Sequence, residues 1–69
     1  MSNSVYKFIE MVGTSPTSWE DAAKSAVETA SQSLRDTRVA EIKDLDLKIE
    51  DGKVTLYLAT VRLSFKYQT

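Results

Sequence analysis

The spacing of apolar residues changes abruptly between residues 12 and 21 of this 69-residue chain. Before the change, residues 5–12 (V-Y-K-F-I-E-M-V) are rich in β-branched and aromatic side chains, which is typical of a strand. After the change, apolar residues recur at helical spacing and predict a helix over residues 19–34. These residues are Trp19, Ala22, Ala23, Ala26, Val27, Ala30 and Leu34. Because most of them are alanine, we expect the helix to pack close to the element it covers.

The segment between the two periods, residues 12–21, has the sequence V-G-T-S-P-T-S-W-E-D. Gly13 predicts a tight turn at the end of the first strand. Ser18 followed three residues later by Asp21 resembles a capping box, with Asp in the place of the usual Glu or Gln. The segment therefore predicts a strand, a turn and a capped helix start in quick succession.

A second strand is predicted over residues 37–50, and its alternation of apolar and polar residues shifts halfway. A β-bulge near Lys43 and Asp44 would place the apolar residues on both sides of the shift on one face. Those residues are Ala40 and Ile42 before the shift, and Leu45, Leu47 and Ile49 after it. The dipeptide Asp51-Gly52 then predicts a type I′ hairpin turn.

The third predicted strand spans residues 53–67, and one of its faces is apolar from Tyr57 onward. The opposite face is apolar at Leu56 and Leu58 and polar further along. Two strands of about 14 residues exceed the usual strand length, and one alanine-rich helix is too small to cover both. The pattern thus predicts an α+β fold of order β-α-β-β whose exposed apolar surface needs a partner subunit.

The composition supports this expectation. A chain of 69 residues is expected to form a single domain, residues 1–69, and a lone domain of this size is marginally stable. Small domains are often stabilised by disulfides, metals or oligomerisation. With no Cys and no His, disulfides and Cys/His zinc sites are excluded, and any metal would need oxygen ligands. Oligomerisation is then the remaining way to stabilise a domain of this size.

The charge and the residue inventory exclude several classes of function. Nine Lys and Arg against ten Asp and Glu give a net charge of −1 with no basic block, so we expect no nucleic-acid partner. No apolar run approaches the length of a membrane span, and no secretory signal pattern is visible, so no membrane partner and a cytoplasmic location are expected. Without His or Cys, no nucleophile–base pair stands out, and the sequence predicts a protein that is not an enzyme.

Four segments, in order, resemble the dodecins, a family of small bacterial and archaeal proteins. They are V-Y-K-F-I-E-M-V-G-T-S-P-T-S-W-E-D-A-A (5–23), L-R-D-T-R-V-A-E (34–41), I-E-D-G-K-V (49–54) and V-R-L-S-F-K-Y (61–67). The resemblance implies a three-stranded antiparallel sheet wrapped around one helix. It also implies a homododecamer that binds a small ligand, usually flavin (riboflavin or FMN), between subunits without catalytic turnover.

The candidate flavin-binding residues depart from the family pattern. Members that bind flavin have R-W-A-E at the start of the second strand, where the Trp stacks on the flavin ring; this chain has Arg38-Val39-Ala40-Glu41. Leu45-Asp46 stands where many members have Gln-Asp, and Leu58 stands where many have Gln or Arg. Losing the aromatic stack and the hydrogen-bonding side chains is expected to weaken flavin binding. Arg38, Val39, Leu45, Asp46 and Leu58 are therefore altered site candidates, and a closed or empty flavin pocket is an alternative.

Some dodecins with Val at the Trp position are described as calcium-binding, and this chain resembles them more closely. Calcium requires six to eight oxygen ligands, and a single chain of this sequence offers no dense acidic loop. A site would combine carboxylates and carbonyls from neighbouring subunits. Glu10 and Asp46 are the candidate calcium ligands, and the alternative to flavin storage is a calcium-binding or purely structural shell.

Overall fold

In a computed structural model, residues 4–34 and 37–66 are described, apart from the Arg38 side chain. The elements are β1 (Tyr6–Ser15), α1 (Trp19–Ser31), β2 (Thr37–Glu50) and β3 (Lys53–Lys66). This order confirms the predicted β-α-β-β arrangement, and the bounds predicted for the second strand agree with those of β2. The helix ends three residues earlier than predicted. Tyr67, the predicted end of the third strand, lies outside the described residues.

The three strands form one antiparallel sheet in the order β1-β3-β2, so the last strand of the chain is the central one. Helix α1 packs against one face of this sheet, which we call the helix face; the opposite side is the outer face. Alternate residues of β3 point to the two faces. Ala59, Val61 and Leu63 are buried on the helix face, whereas Thr60 and Arg62 on the outer face are only partly covered.

Gly13 does not form the predicted turn, because β1 continues through it to Ser15. Its role is to permit close approach of the helix. A Cβ built on Gly13 would lie 2.0 Å from the Ala22 carbonyl oxygen and 2.9 Å from the Ala26 Cβ. Only a residue without a side chain fits between this strand and the alanines of α1.

The turn comes after Ser15, and the buried Ser15 hydroxyl organises it. Ser15 Oγ accepts hydrogen bonds from the backbone N–H groups of Thr17 (3.0 Å) and Ser18 (3.4 Å) and donates to Asp21 Oδ2 at 2.8 Å. Ser18 is the N-cap as predicted, and its Oγ accepts from the Asp21 N–H at 3.0 Å. The Asp21 carboxylate accepts a hydrogen bond from the Ser15 hydroxyl, so this helix start differs from a standard capping box.

The long hairpin of β2 and β3 has the predicted bulge and turn. Ile42 pairs with Val61 and Asp44 pairs with Thr60, so Lys43 is the extra residue of β2. As a result Ile42 and Leu45, which have opposite parity in the sequence, both lie opposite helix-face residues of β3. Asp51 and Gly52 have φ values of 52° and 74°, as a type I′ turn requires.

The chain is elongated and its core is small. Its extents are 57 × 19 × 14 Å, and its radius of gyration of 14.5 Å exceeds the roughly 11 Å of a compact domain of this length. The core cluster consists of Ala22, Ala23, Ala26, Ala59 and Val61. Several large apolar side chains of β2 remain exposed, because α1 covers mainly β1 and β3: Val39, Ile42, Leu45, Leu47 and Ile49.

Candidate ligand-binding site

The residues predicted to bind a ligand do not converge on one place within a single chain. Asp46 and Leu58 are direct partners on the outer face of the sheet. Leu45, opposite Ala59, lies on the helix face. Val39 is opposite Ser64, six β3 positions from Leu58, which is about 20 Å along an extended strand. The Arg38 backbone belongs to β2, and its side chain is outside the described part of the chain.

The Val39 side chain itself offers little for an aromatic ring to stack on. Val39 is 61% exposed and presents only a small aliphatic group. Phe8 lies in the same row of the sheet, because Phe8 and Val39 both pair with Ser64. The Arg62 guanidinium carbon already lies 4.1 Å from the centre of the Phe8 ring. One face of that ring is therefore occupied by a cation–π contact.

Around Asp46 the outer face is more acidic. Asp44 is two residues away on the same strand, so both carboxylates project from the same face with their Cα atoms about 6.7 Å apart. Across β3 they face Thr60 and Leu58. That Asp44 and Asp46 project together was not predicted from the sequence, although their i, i+2 spacing in a strand was the available signal.

Glu10 forms an ion pair with Lys43 and does not lie near Asp46. Its Oε2 atom is 3.8 Å from the Lys43 Nζ atom, and it pairs with Arg62 across the β1–β3 ladder. Two strand spacings and four residue positions separate Glu10 from Asp46, which amounts to about 16 Å. The two predicted metal ligands therefore do not meet within one chain. In the described residues, no three acidic side chains lie close enough together to hold a metal ion.

Trp19, at the start of α1, reaches the backbone of this acidic region. Its indole Nε1–H donates to the Asp46 carbonyl oxygen at 3.0 Å. Its ring meets Tyr57 edge-on, with centroids 5.3 Å apart and planes at 82°. Trp19 thus packs against Tyr57 and also donates a hydrogen bond to β2.

A cleft of about 230 Å³ lies elsewhere, between β1 and α1. None of the predicted ligand-binding residues contributes to its walls. They are formed by Met11, Val12, Gly13, Thr14, Ser25, Ala26 and Thr29. Across the described stretches 4–34 and 37–66, no helix has the length and apolar character needed to cross a membrane.

Comparison with known proteins assigns the family. The family model described as Dodecin matches residues 5–68, so this chain belongs to the dodecin family. It is 48% identical over 64 residues to a protein named calcium dodecin from Mycobacterium tuberculosis, covering 91% of this chain and 89% of that protein. The resemblance deduced from the sequence is confirmed.

Two solved structures show the likeness of the folds. The dodecin from Streptomyces coelicolor superposes with a TM-score of 0.91 at 38% identity, covering 100% of this chain and 99% of the other. The Mycobacterium tuberculosis structure, described as a calcium-chelating antigen with a novel calcium-binding site, gives 0.83 at 45% identity and covers 94% and 93%. The three-stranded antiparallel sheet with one helix is therefore the dodecin fold.

Proposed function

We propose that this chain is a non-catalytic, homododecameric dodecin that binds calcium in preference to flavin. This proposal rests on the side chains that the outer face of the sheet presents. The position of the stacking Trp holds the exposed aliphatic Val39, whereas Asp44 and Asp46 project together beside the Thr60 hydroxyl. Oxygen ligands of this kind suit calcium, and the small aliphatic side chain of Val39 gives a flavin ring no aromatic surface to stack on at that position.

The 48% identity to the calcium dodecin of Mycobacterium tuberculosis supports this choice of ligand. Two carboxylates and a hydroxyl provide fewer oxygens than calcium needs, so we propose that a neighbouring subunit and water supply the rest. Asp46 stays a candidate ligand, joined by Asp44. Glu10 is less suited, because Lys43 already compensates its charge.

The large accessible area of the single chain supports its assembly with other subunits. The accessible area of 5318 Å² exceeds the roughly 4,300 Å² that a compact monomer of this mass exposes. The excess of about 1,000 Å² is comparable to what one partner buries in a standard interface. Twelve chains of 7.7 kDa would have a mass of about 92 kDa, which light scattering measures directly.

Two titrations of the full chain test which ligand it binds. One is a calorimetric titration with calcium chloride, and the other is a parallel riboflavin fluorescence titration. We expect calcium binding, at least tenfold weaker in Asp44→Asn and Asp46→Asn, and little quenching of riboflavin. Asp51→Asn is a matched control, since it removes an exposed carboxylate in the hairpin turn where Asn tolerates the positive φ. Riboflavin quenching at micromolar concentration without calcium binding would instead support the flavin role.

A further inference from the structure

The cleft between β1 and α1 lies at an edge of the sheet. Its β1 wall consists of four consecutive residues, 11–14, whose side chains alternate between the two faces, so the cleft reaches the edge of the strand. In the described sheet, β1 pairs with β3 on one side only. The α1 wall carries Ser25 and Thr29, which are four residues apart and therefore lie on one flank of the helix. None of the described residues that line the cleft is charged, whereas Lys24 and Glu28 are exposed on the neighbouring helix surface.

A row of large apolar residues lies at the opposite edge of the same sheet face. Three strands span about 14 Å and one helix is about 10 Å wide, so α1 packs on β1 and β3 and leaves β2 largely open. Under the helix the sheet residues are small, such as Gly13 and Ala59. The β2 row is large and 41–62% exposed, and it consists of Ile42, Leu45, Leu47 and Ile49. Side chains of this size on an open strand are suited to fill space beside a helix.

We infer that the cleft between β1 and α1 receives the β2 row of a second copy of this chain. The inference rests on the assembly part of the proposed function and is independent of the ligand. When β2 of one subunit lies beside β1 of the next, their helix faces continue into one another, and the β2 row projects along the flank of the neighbour's helix where the cleft opens. The row is then enclosed between two helices, and its apolar surface leaves water without a charge entering the cleft.

This contact joins two different surfaces, so it is heterologous. Contacts of this kind close into a ring when the rotation between subunits permits, which is compatible with a particle of twelve chains. The accessible area in excess of a compact monomer, about 1,000 Å², is comparable to the roughly 800 Å² that each partner contributes to a standard interface. A small ligand in the cleft, or a symmetrical contact between two β2 rows, would leave one of the two surfaces uncovered.

Thiol accessibility tests whether the cleft is filled in the assembled protein. The chain has no Cys, so an introduced cysteine is the only thiol. Ser25→Cys places a thiol of similar size in the cleft, and the control Lys24→Cys places one on the preceding residue outside it; both positions are exposed in a single chain. In a particle of about 92 kDa, we expect a maleimide to modify Ser25→Cys about tenfold more slowly than Lys24→Cys. Equal rates in that particle would show an open cleft and overturn the inference.

Mixed cross-linking identifies the occupant of the cleft. Ser25→Cys and Leu47→Cys chains are mixed in urea, refolded together and treated with a short bis-maleimide. We expect a covalent dimer in the mixture and none from either variant alone. A dimer from Leu47→Cys alone would show that β2 rows face each other, and assembled particles without a mixed dimer would place the row elsewhere; either result overturns the inference. A wild-type protein with the mass of a single chain would overturn the proposed assembly and the inference together.

Discussion

Two glycines show how the same residue type is required for different physical reasons. Gly52 adopts a φ of 74° in the hairpin turn, where a Cβ would meet nothing within 4 Å. Gly13 has ordinary strand geometry, but the helix leaves no room for a side chain. The first requirement was predicted from Asp51-Gly52, because a turn signal is local. The second was missed, because it depends on the distance between two elements that a sequence pattern does not give.

Replacing Gly13 by Ala should therefore be among the most destabilising small substitutions in this chain. The new Cβ would collide with the Ala22 carbonyl, a backbone atom that moves only if the helix moves. We expect a loss of about 3 kcal/mol, at the upper end for overpacking. Urea denaturation at fixed protein concentration measures it.

Gly52→Asn is the matched control, since Asn tolerates positive φ and has open space at this site. It should cost well under 1 kcal/mol. Equal losses in the two variants would show that the helix is not held against Gly13 as described.

At the scale of elements, the order of strands and helix, the bounds of β2 and the bulge all follow from patterns of period two and 3.6 in the sequence. The ends of β1 and α1 did not follow. Gly13 and Ser15 remain in the strand because Ala59 and Tyr57 of β3 pair with them, a tertiary effect. The candidate site was also only partly predictable. The pairing of Asp46 with Leu58 and the placement of Leu45 on the other face depend on where the bulge sets the register.

Deleting Lys43 tests the importance of the bulge. Without the extra residue, the pairing shifts by one, and either Leu45, Leu47 and Ile49 or the residues before the bulge turn to the opposite face. We expect loss of the native assembly, measured by light scattering and circular dichroism.

Lys43→Ala is the control for that deletion, because it keeps the bulge and removes only an exposed ion pair with Glu10. Exposed pairs contribute roughly 0–1 kcal/mol, so this variant should assemble normally. A deletion variant that assembles like wild type would mean that the bulge does not set the face of the later residues.

The whole molecule has too little core for its length. Among the described residues, the largest fully buried side chains are Leu63, Val61 and Ser15, while a row of large apolar residues along β2 is exposed. Such a chain stays stable only if another surface covers that row. Folding and association are then coupled, and stability depends on protein concentration.

Replacing Leu47 by Lys tests the coupling of folding and association. Leu47 is 41% exposed in the isolated chain, so a lysine would be tolerated by a monomer. If a neighbouring subunit covers Leu47, the buried charge should shift the light-scattering mass from about 92 kDa toward smaller species.

Lys48→Ala is the control for this variant, since Lys48 is the next residue of β2 and projects to the outer face opposite Leu56. It should keep the wild-type mass. A Leu47→Lys protein of unchanged mass and unchanged urea midpoint would place the subunit interface elsewhere.

The strand order also determines when β1 can pair during protein synthesis. β1 is complete once Ser15 has been added, yet its pairing partner is β3, which ends at Lys66. At about 5–20 residues per second, the first strand waits roughly 3–10 s without its neighbour. During that interval β1 has no strand of its own chain to pair with, and once it is outside the ribosome its free edges are open to strands of other chains. A chain whose middle strand is translated last is therefore most exposed to mispairing before that strand becomes available.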